Sequence, residues 1–184
     1  MSDSLPAIQD ILGPEGLLAR SLEGFEFRSS QMEMALLIRD ALEGETPAVV
    51  EAGTGTGKTF GYLAPIVLSG KKAVISTRTK NLQEQVYFKD IPLLGKAASI
   101  HINAMIMKGR RNYLCLHRYH QFFSQSSFLK TGLGEMKQRL DKWMAQTEFA
   151  DRAELAWLAD DDALWDALSA SSEQCLGGDC LFLE

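Results

Sequence analysis

Apolar runs and helical patterns alternate along the first two-thirds of the chain. Short apolar runs at residues 48–50, 73–76 and 100–107 have the length and composition of buried strands. Segments with apolar side chains at helical spacing follow the first two runs, at residues 60–68 and 82–88. Because strands that alternate with helices pair in parallel, the pattern predicts an α/β fold on a parallel sheet, with binding loops at the carboxyl ends of the strands.

A glycine-rich turn joins the first predicted strand to its helix. Its glycines let backbone N–H groups approach a phosphate closely, and the helix adds the positive end of its dipole. In the phosphate-loop pattern Lys58 reaches the terminal phosphates and the Thr59 hydroxyl ligates Mg²⁺. A flexible surface loop with a solvated lysine is the alternative. The residues predicted to bind a nucleoside triphosphate are Ala52, which stands where the pattern has its first glycine, Gly53, Thr54, Gly55, Thr56, Gly57, Lys58 and Thr59.

The helix predicted before this loop carries the candidate base-recognition residues. Gln31 lies in its first turn, and Arg28 precedes it. A glutamine amide offers a donor and an acceptor that match the exocyclic amine and adjacent ring nitrogen of adenine. Arg28 is a candidate to stack on the base. Polar residues that only cap the helix are the alternative; with the phosphate loop downstream, the pattern predicts ATP.

Two polar segments follow the second and third predicted strands. Thr77, Arg78 and Thr79 open a helix, where hydroxyls and backbone amides can hold a backbone phosphate of a nucleic acid. The third run ends in Lys108-Gly109-Arg110-Arg111-Asn112-Tyr113, a basic cluster with an aromatic ring that suits single-stranded nucleic acid. A plain threonine cap and a solvated charged loop are the respective alternatives.

The net charge of −5 conceals an uneven distribution. Residues 141–184 hold 11 acidic and 2 basic side chains, whereas residues 1–140 hold 13 acidic and 17 basic ones. A polyanion would therefore meet the first part more readily. No apolar run is long enough to span a bilayer, and the N-terminus lacks the basic and apolar regions of a signal peptide. We expect a cytoplasmic, monomeric protein.

The last third of the chain changes character. Acidic helical segments are predicted near residues 135–144, 150–158 and 163–168, with few apolar positions per turn, as in a small helical insert with a limited core.

Three cysteines, Cys115, Cys175 and Cys180, accompany this insert. A reducing compartment disfavours disulfides, which leaves buried thiols or metal ligation. Their spacing does not follow a ferredoxin pattern, and a zinc site that includes His117 or His120 is an alternative.

Several of these motifs together resemble one protein family. They are Arg28 and Gln31, the phosphate loop, residues 77–85, and the run Lys-Gly-Arg-Arg-Asn-Tyr-Leu-Cys at 108–115. The set resembles the amino-terminal part of the DinG/XPD-type iron-sulfur DNA helicases, most closely the bacterial DinG and YoaA branch, over essentially the whole chain. The resemblance implies the first part of a RecA-like motor domain at residues 1–114 and a truncated iron-sulfur insert at 115–184.

The resemblance also implies ligands and an activity. Cys115, Cys175 and Cys180 would be the first three ligands of a 4Fe-4S cluster, and a fourth would be expected a few residues beyond Cys180. The complete enzyme would unwind DNA in the 5′ to 3′ direction with ATP and Mg²⁺, on single-stranded or forked DNA. The residues implied to contact DNA are Thr77, Arg78, Thr79, Gln85, Lys108, Arg110, Arg111 and Tyr113.

The chain also departs from the family pattern. It has no Asp-Glu-x-His run, whose carboxylates would complete the magnesium site and polarise the attacking water. It also lacks a second motor domain, so we expect an amino-terminal fragment without appreciable ATP hydrolysis or unwinding of its own. A phosphate-loop small-molecule kinase or transferase would explain Lys58 and Thr59 but leave Gln31 and the cysteines unexplained. A non-enzymatic fragment that binds nucleotide and nucleic acid is the third reading.

Overall fold

The computed structural model describes residues 6–124, 133–159 and 162–182, and it divides into two compact units. The first unit ends at Ile106 and the second begins at Met107. The sequence predicts a boundary after residue 114. In the structure residues 107–114 group with the second unit.

The first unit is built from helices. They are α1 (Ile8–Leu12), α2 (Leu17–Ser21), α3 (Ser29–Gly44), α4 (Lys58–Ser69), α5 (Lys80–Gln85) and α6 (Ile91–Ala98). One π turn, Val86–Asp90, joins α5 directly to α6. Helix α4 ends at Ser69 and is capped by Gly70, whose φ of 63° is the left-handed conformation that glycine adopts readily after a helix. The helices predicted at residues 60–68 and 82–88 are confirmed.

The core of the first unit lies among these helices. Helices α3 and α4 pack side by side, and Gly61 allows the close approach, because a Cβ there would lie 3.3 Å from Met34 Sδ. Each fully buried leucine in such a core contributes about 1.5–3 kcal/mol relative to an exposed one. The buried apolar residues are Ile8, Ile11, Leu12, Leu18, Ala35, Leu63, Ala64, Val86 and Leu94.

The predicted parallel sheet is not found in the described part of the chain. Residues 48–50, 73–76 and 100–107 form no strand there. Val49 is 99% exposed and Val74 98% exposed, whereas Ile75 and Ile102 are partly buried against the core, so none of the three runs is buried as a central strand would be. An apolar run reports local propensity, whereas a strand also requires a neighbouring backbone to receive its hydrogen bonds.

The second unit contains α7 (Leu116–Ser124), α8 (Leu133–Met144) and α9 (Ala163–Leu168). The helices predicted near 135–144 and 163–168 are confirmed. The one predicted near 150–158 is only a short 3₁₀ turn, Arg152–Glu154, because Ala150 (φ 52°) and Leu155 (ψ 72°) leave the helical region on either side. No helix in the described ranges combines the length and apolar character needed to cross a membrane.

The second unit has a small core of its own, which includes Tyr119. Its hydroxyl hydrogen-bonds the Asp141 carboxylate, which also accepts from Lys137 Nζ at 2.7 Å. Hydrogen bonds from Lys137, which has the larger effect, and from Tyr119 lower the pKa of Asp141 below its usual range. Burial raises the pKa of Tyr119. The buried apolar residues are Tyr119, Leu140, Leu155, Leu158, Trp165 and Leu168.

Candidate functional site

The predicted phosphate loop lies immediately before α4. Gly57 caps the helix with φ 76° and ψ 28°, and Gly55 has φ 80°. Both values lie in the left-handed region, which side chains other than glycine rarely adopt. Open space surrounds the position of a Cβ at Gly53 and at Gly55. The loop therefore leaves its backbone accessible to an anion at the start of α4.

The Lys58 ammonium lies over the loop. Its Nζ donates to Ala52 O at 3.0 Å and to Gly53 O at 2.6 Å. Thr56 Oγ1 also donates to Gly53 O, at 3.0 Å. Because Lys58 is exposed and bonded to carbonyl oxygens of the loop, phosphate oxygens could replace those carbonyls without moving the helix.

Gln31 has a contact different from the predicted one. Its side chain is buried, 4% exposed, and Nε2 donates to Gly57 O at 2.7 Å. The amide therefore fixes the backbone where the loop becomes α4, and little of its surface is left for an adenine ring. The Arg28 guanidinium, which was predicted to stack on the base, pairs with Glu26 at 2.9 Å.

Thr59, the predicted magnesium ligand, lies in the first turn of α4, three residues before Tyr62. Burial raises the pKa of the Tyr62 phenol, and the nearby Thr59 side chain partly offsets that effect.

The segment before α5 forms a helix cap. Thr79 Oγ1 accepts from Leu82 N at 3.3 Å, and Thr77 Oγ1 donates to Thr79 O at 3.1 Å. Both hydroxyls thus have local partners, as the capping alternative predicts. The Arg78 side chain is exposed, and so is Gln85, whose Nε2 donates to Asp90 Oδ2 at 3.2 Å.

The basic cluster of the second unit separates into buried and exposed members. Lys108 Nζ lies 2.5 Å from Asp151 Oδ2, and the two side chains are 3% and 10% exposed. Such a buried pair is not available to a phosphate, so the predicted DNA contact of Lys108 does not suit this structure. Tyr113, predicted to stack on a base, is half-buried, and its hydroxyl accepts from Lys108 N at 2.8 Å.

Arg110 and Arg111 are the exposed members of this cluster. They lie on the 3₁₀ turn Arg110–Asn112, which is anchored by Trp165 Nε1 donating to Arg111 O at 2.8 Å. A tethered backbone with two outward guanidinium groups is a suitable surface for a phosphate chain.

The three cysteines do not form a metal site in the described residues. Cys115, Cys175 and Cys180 are half-buried free thiols. Within ranges 6–124, 133–159 and 162–182, no group of three histidine, cysteine or acidic side chains could hold a metal ion. His120, considered as a zinc ligand, stacks on Phe182 with ring centroids 5.2 Å apart. The present arrangement therefore fits neither a cluster nor zinc.

Comparison with known proteins identifies the family. The pattern of DEAD/DEAH box helicases matches residues 32–134, more than half of the chain. The chain belongs to the DEAD/DEAH box helicase family. The matched range contains the phosphate loop and most of α3, α4 and the basic cluster.

The relatives confirm the resemblance to the DinG and YoaA branch. The ATP-dependent DNA helicase YoaA of Haemophilus influenzae is 41% identical over 174 residues, which cover 94% of this chain and 27% of that protein. The Escherichia coli YoaA is 40% identical, covering 93% of this chain and 27% of its own length. A Bacillus subtilis protein named 3′-5′ exonuclease DinG is 34% identical over an alignment that covers 85% of this chain and 17% of that protein. The chain thus spans about a quarter of the YoaA proteins.

Three polar residues close to predicted site residues were not predicted from the sequence: Tyr62 and Asp90 in the first unit, and Asp151 in the second. Tyr62 lies three residues after Thr59, and the i, i+3 spacing on a predicted helix could have indicated it. Asp90 lies five residues after Gln85, which in a regular α-helix would be on another face. Asp151 meets Lys108 only through the tertiary fold, and no local pattern indicates it.

Two matched glycine substitutions test whether Gln31 fixes the loop. Gly55→Ala and Gly57→Ala each place a side chain at positive φ, at a cost of about 1–2 kcal/mol. Only the Gly57 Cβ would also meet Gln31 Nε2, at 2.1 Å, whereas that of Gly55 meets open space. We expect Gly57→Ala to lower the free energy of unfolding more than Gly55→Ala does, as measured by urea denaturation.

The control uses Gln31→Ala as the background. In that background Gly55→Ala and Gly57→Ala should lower the free energy of unfolding by the same amount within about 0.5 kcal/mol, because the amide that would clash is absent. If the two substitutions lower the free energy of unfolding equally in the chain that keeps Gln31, then Gln31 does not constrain the loop.

Proposed function

We propose that this chain is the nucleotide-binding part of an ATP-driven DNA helicase. The observation that carries the proposal is the phosphate loop, with Lys58 and Thr59 opening α4 inside the range matched by the helicase family. The YoaA relatives are named ATP-dependent DNA helicases. The 5′ to 3′ polarity and the use of single-stranded or forked DNA belong to the same proposal, by resemblance.

Lys58 and Thr59 would have separate roles with ATP and Mg²⁺. The Lys58 ammonium would exchange the carbonyl oxygens of Ala52 and Gly53 for phosphate oxygens, and the Thr59 hydroxyl would ligate Mg²⁺. Hydrolysis also requires carboxylates for the metal and the attacking water. Because the chain has no Asp-Glu-x-His run, we propose that it binds ATP without appreciable hydrolysis.

Lys58→Ala tests the nucleotide site. Removing a charge-assisted contact to phosphate should weaken Mg·ATP binding about 10- to 100-fold, as measured by isothermal titration calorimetry. Lys72→Ala, at an exposed lysine outside the loop, is the matched control and should leave the affinity unchanged. Unaltered binding by a folded Lys58→Ala variant would refute the phosphate-loop assignment. GTP that binds as tightly as ATP would contradict a site that selects adenine nucleotides.

DNA binding would use exposed cations. Arg78 is exposed in the first unit, and Arg110 and Arg111 are exposed in the second. Each guanidinium that neutralises a phosphate releases a counterion. The salt dependence of the binding affinity therefore reports how many guanidinium groups contact phosphate.

Salt titrations test whether Arg110 and Arg111, but not Lys108, contact the phosphates of DNA. For a single-stranded oligonucleotide, Arg110→Ala and Arg111→Ala should each reduce the slope of log affinity against log salt by about 0.7. Arg20→Ala, at an exposed arginine of α2, should not change it. Lys108→Met should leave the slope unchanged but cost about 3–5 kcal/mol of stability, because it leaves the Asp151 charge buried alone.

Adding Asp151→Asn to Lys108→Met should recover most of that stability, since the unpaired charge is then removed. A lower salt slope in Lys108→Met would instead make Lys108 a phosphate contact.

The iron-sulfur cluster implied by the resemblance can be tested on this chain directly. Because the three thiols do not converge in the described residues, we propose that this chain alone retains no stable cluster. Anaerobic reconstitution with iron and sulfide should leave, after desalting, iron content and visible absorbance that Cys115→Ser does not change. A brown protein with stoichiometric iron that Cys115→Ser abolishes would overturn this proposal.

A further inference from the structure

The 3₁₀ turn Arg110–Asn112, which carries the two exposed arginines, is held from more than one side. Lys108 N, just before the turn, donates to Tyr113 Oη, just after it, at 2.8 Å. In the middle of the turn, Trp165 Nε1 donates to Arg111 O at 2.8 Å. Each bond engages a backbone group of the segment. The path of the backbone is therefore fixed, while both guanidinium groups stay in solvent.

Trp165 supplies the contact that comes from a distant part of the chain. It lies on α9, 54 positions after Arg111, and its side chain is buried, 3% exposed. A buried indole N–H needs an acceptor, and Arg111 O provides it. If the turn moved away, that N–H would remain buried without a partner, which is unfavourable. The bond thus resists displacement of the turn.

Trp165 is itself supported by a second tryptophan. Its ring meets that of Trp143 edge to face, with centroids 6.3 Å apart and an interplanar angle of 69°. Trp143 Nε1 donates to Glu154 Oε2 at 3.0 Å, and Thr147 Oγ1 donates to the same oxygen at 2.6 Å. Such edge-to-face pairs are a favoured aromatic arrangement. An acidic side chain of this unit thereby helps to hold a basic turn.

The form of the turn sets the directions of the two arginines. A 3₁₀ helix has three residues per turn, so the side chains of Arg110 and Arg111 leave its axis about 120° apart. Two diverging guanidinium groups suit two separate phosphates of a chain better than one isolated phosphate. A backbone that is already fixed need not be ordered when the strand binds, which favours affinity.

We propose that Trp165 is a positioning residue for nucleic-acid binding. Through the Arg111 carbonyl it holds the turn so that Arg110 and Arg111 meet two phosphates of one strand. Trp143 and Glu154 act behind it by holding its ring. The inference rests on the proposed function, because it assumes that these arginines bind DNA.

Trp165→Phe tests this role, because it keeps an aromatic ring and removes the N–H donor. The probe is a single-stranded thymidine oligonucleotide, whose Kd for the 184-residue chain is measured by fluorescence anisotropy. We expect Trp165→Phe to weaken binding about 5- to 10-fold, since the turn must then be ordered on binding. Trp157→Phe is the matched control. The Trp157 ring lies under the Arg139 guanidinium, 4.1 Å from the ring centroid, and phenylalanine keeps such a contact, so the Kd should not change.

A variant that lacks both arginines separates positioning from a general loss of stability. In the Arg110→Ala/Arg111→Ala background, Trp165→Phe should change the Kd less than about 2-fold, because no arginine is left to position. A residue that only stabilises the fold would weaken binding equally in both backgrounds, and that result would overturn the proposal.

NMR of the unchanged chain provides a second measurement that needs no substitution at Trp165. The three tryptophans give three indole N–H signals, which Trp143→Phe and Trp157→Phe assign by elimination. Saturating oligonucleotide should shift the Trp165 signal, because its acceptor belongs to Arg111, and should leave the Trp157 signal in place. An unshifted Trp165 signal would overturn the proposal even if Trp165→Phe does not fold. Inorganic phosphate at the same ionic strength should produce no such shift, and an equal shift would overturn the two-phosphate arrangement.

The outcomes keep the inference apart from the proposed function. If the unchanged chain does not bind the oligonucleotide, the proposed DNA binding fails and the inference fails with it. If the chain binds and Arg110→Ala and Arg111→Ala lower the salt slope, but Trp165→Phe binds as tightly as the unchanged chain, the inference alone is overturned.

Discussion

The hydrogen bond from Gln31 to the carbonyl of Gly57 is the contact on which the rest of the candidate site depends. It joins the first turn of α3 to the residue that caps α4. Gly57 must hold a left-handed conformation there, and a Cβ would collide with the amide. Because the start of α4 is thereby fixed, so are the directions in which Lys58 and Thr59 leave the backbone.

The same constraint extends along α4. Helix α4 packs on α3, and Gly61 lies at their contact. The predicted phosphate loop therefore leads directly into a packed helix pair, and a ligand that displaces Lys58 from the loop carbonyls would act beside that pair.

The basic cluster of the second unit shows how burial divides a charged motif. Lys108 is enclosed with Asp151, where an unpaired ammonium would be costly, so its charge serves the fold. Arg110 and Arg111 sit on a turn that Trp165 holds by the backbone, which leaves their side chains in solvent. Residues close together in one motif can therefore have different roles, and composition alone does not separate them.

The sequence by itself determined most of the helices and the glycine turn, because these depend on neighbours within a few residues, and its motifs indicated the family. Helix α4 begins at Lys58, two residues before the predicted start, and the backbone hydrogen bonds of a helix join residues close in sequence. Tertiary structure decided the rest. It placed Gln31 against the loop, buried Lys108 with a carboxylate 43 positions away, and left Val49 and Val74 exposed, with no strand at 48–50 or 73–76. Strand pairing and ion-pair burial depend on which distant backbone or charge comes near, and no local pattern specifies that.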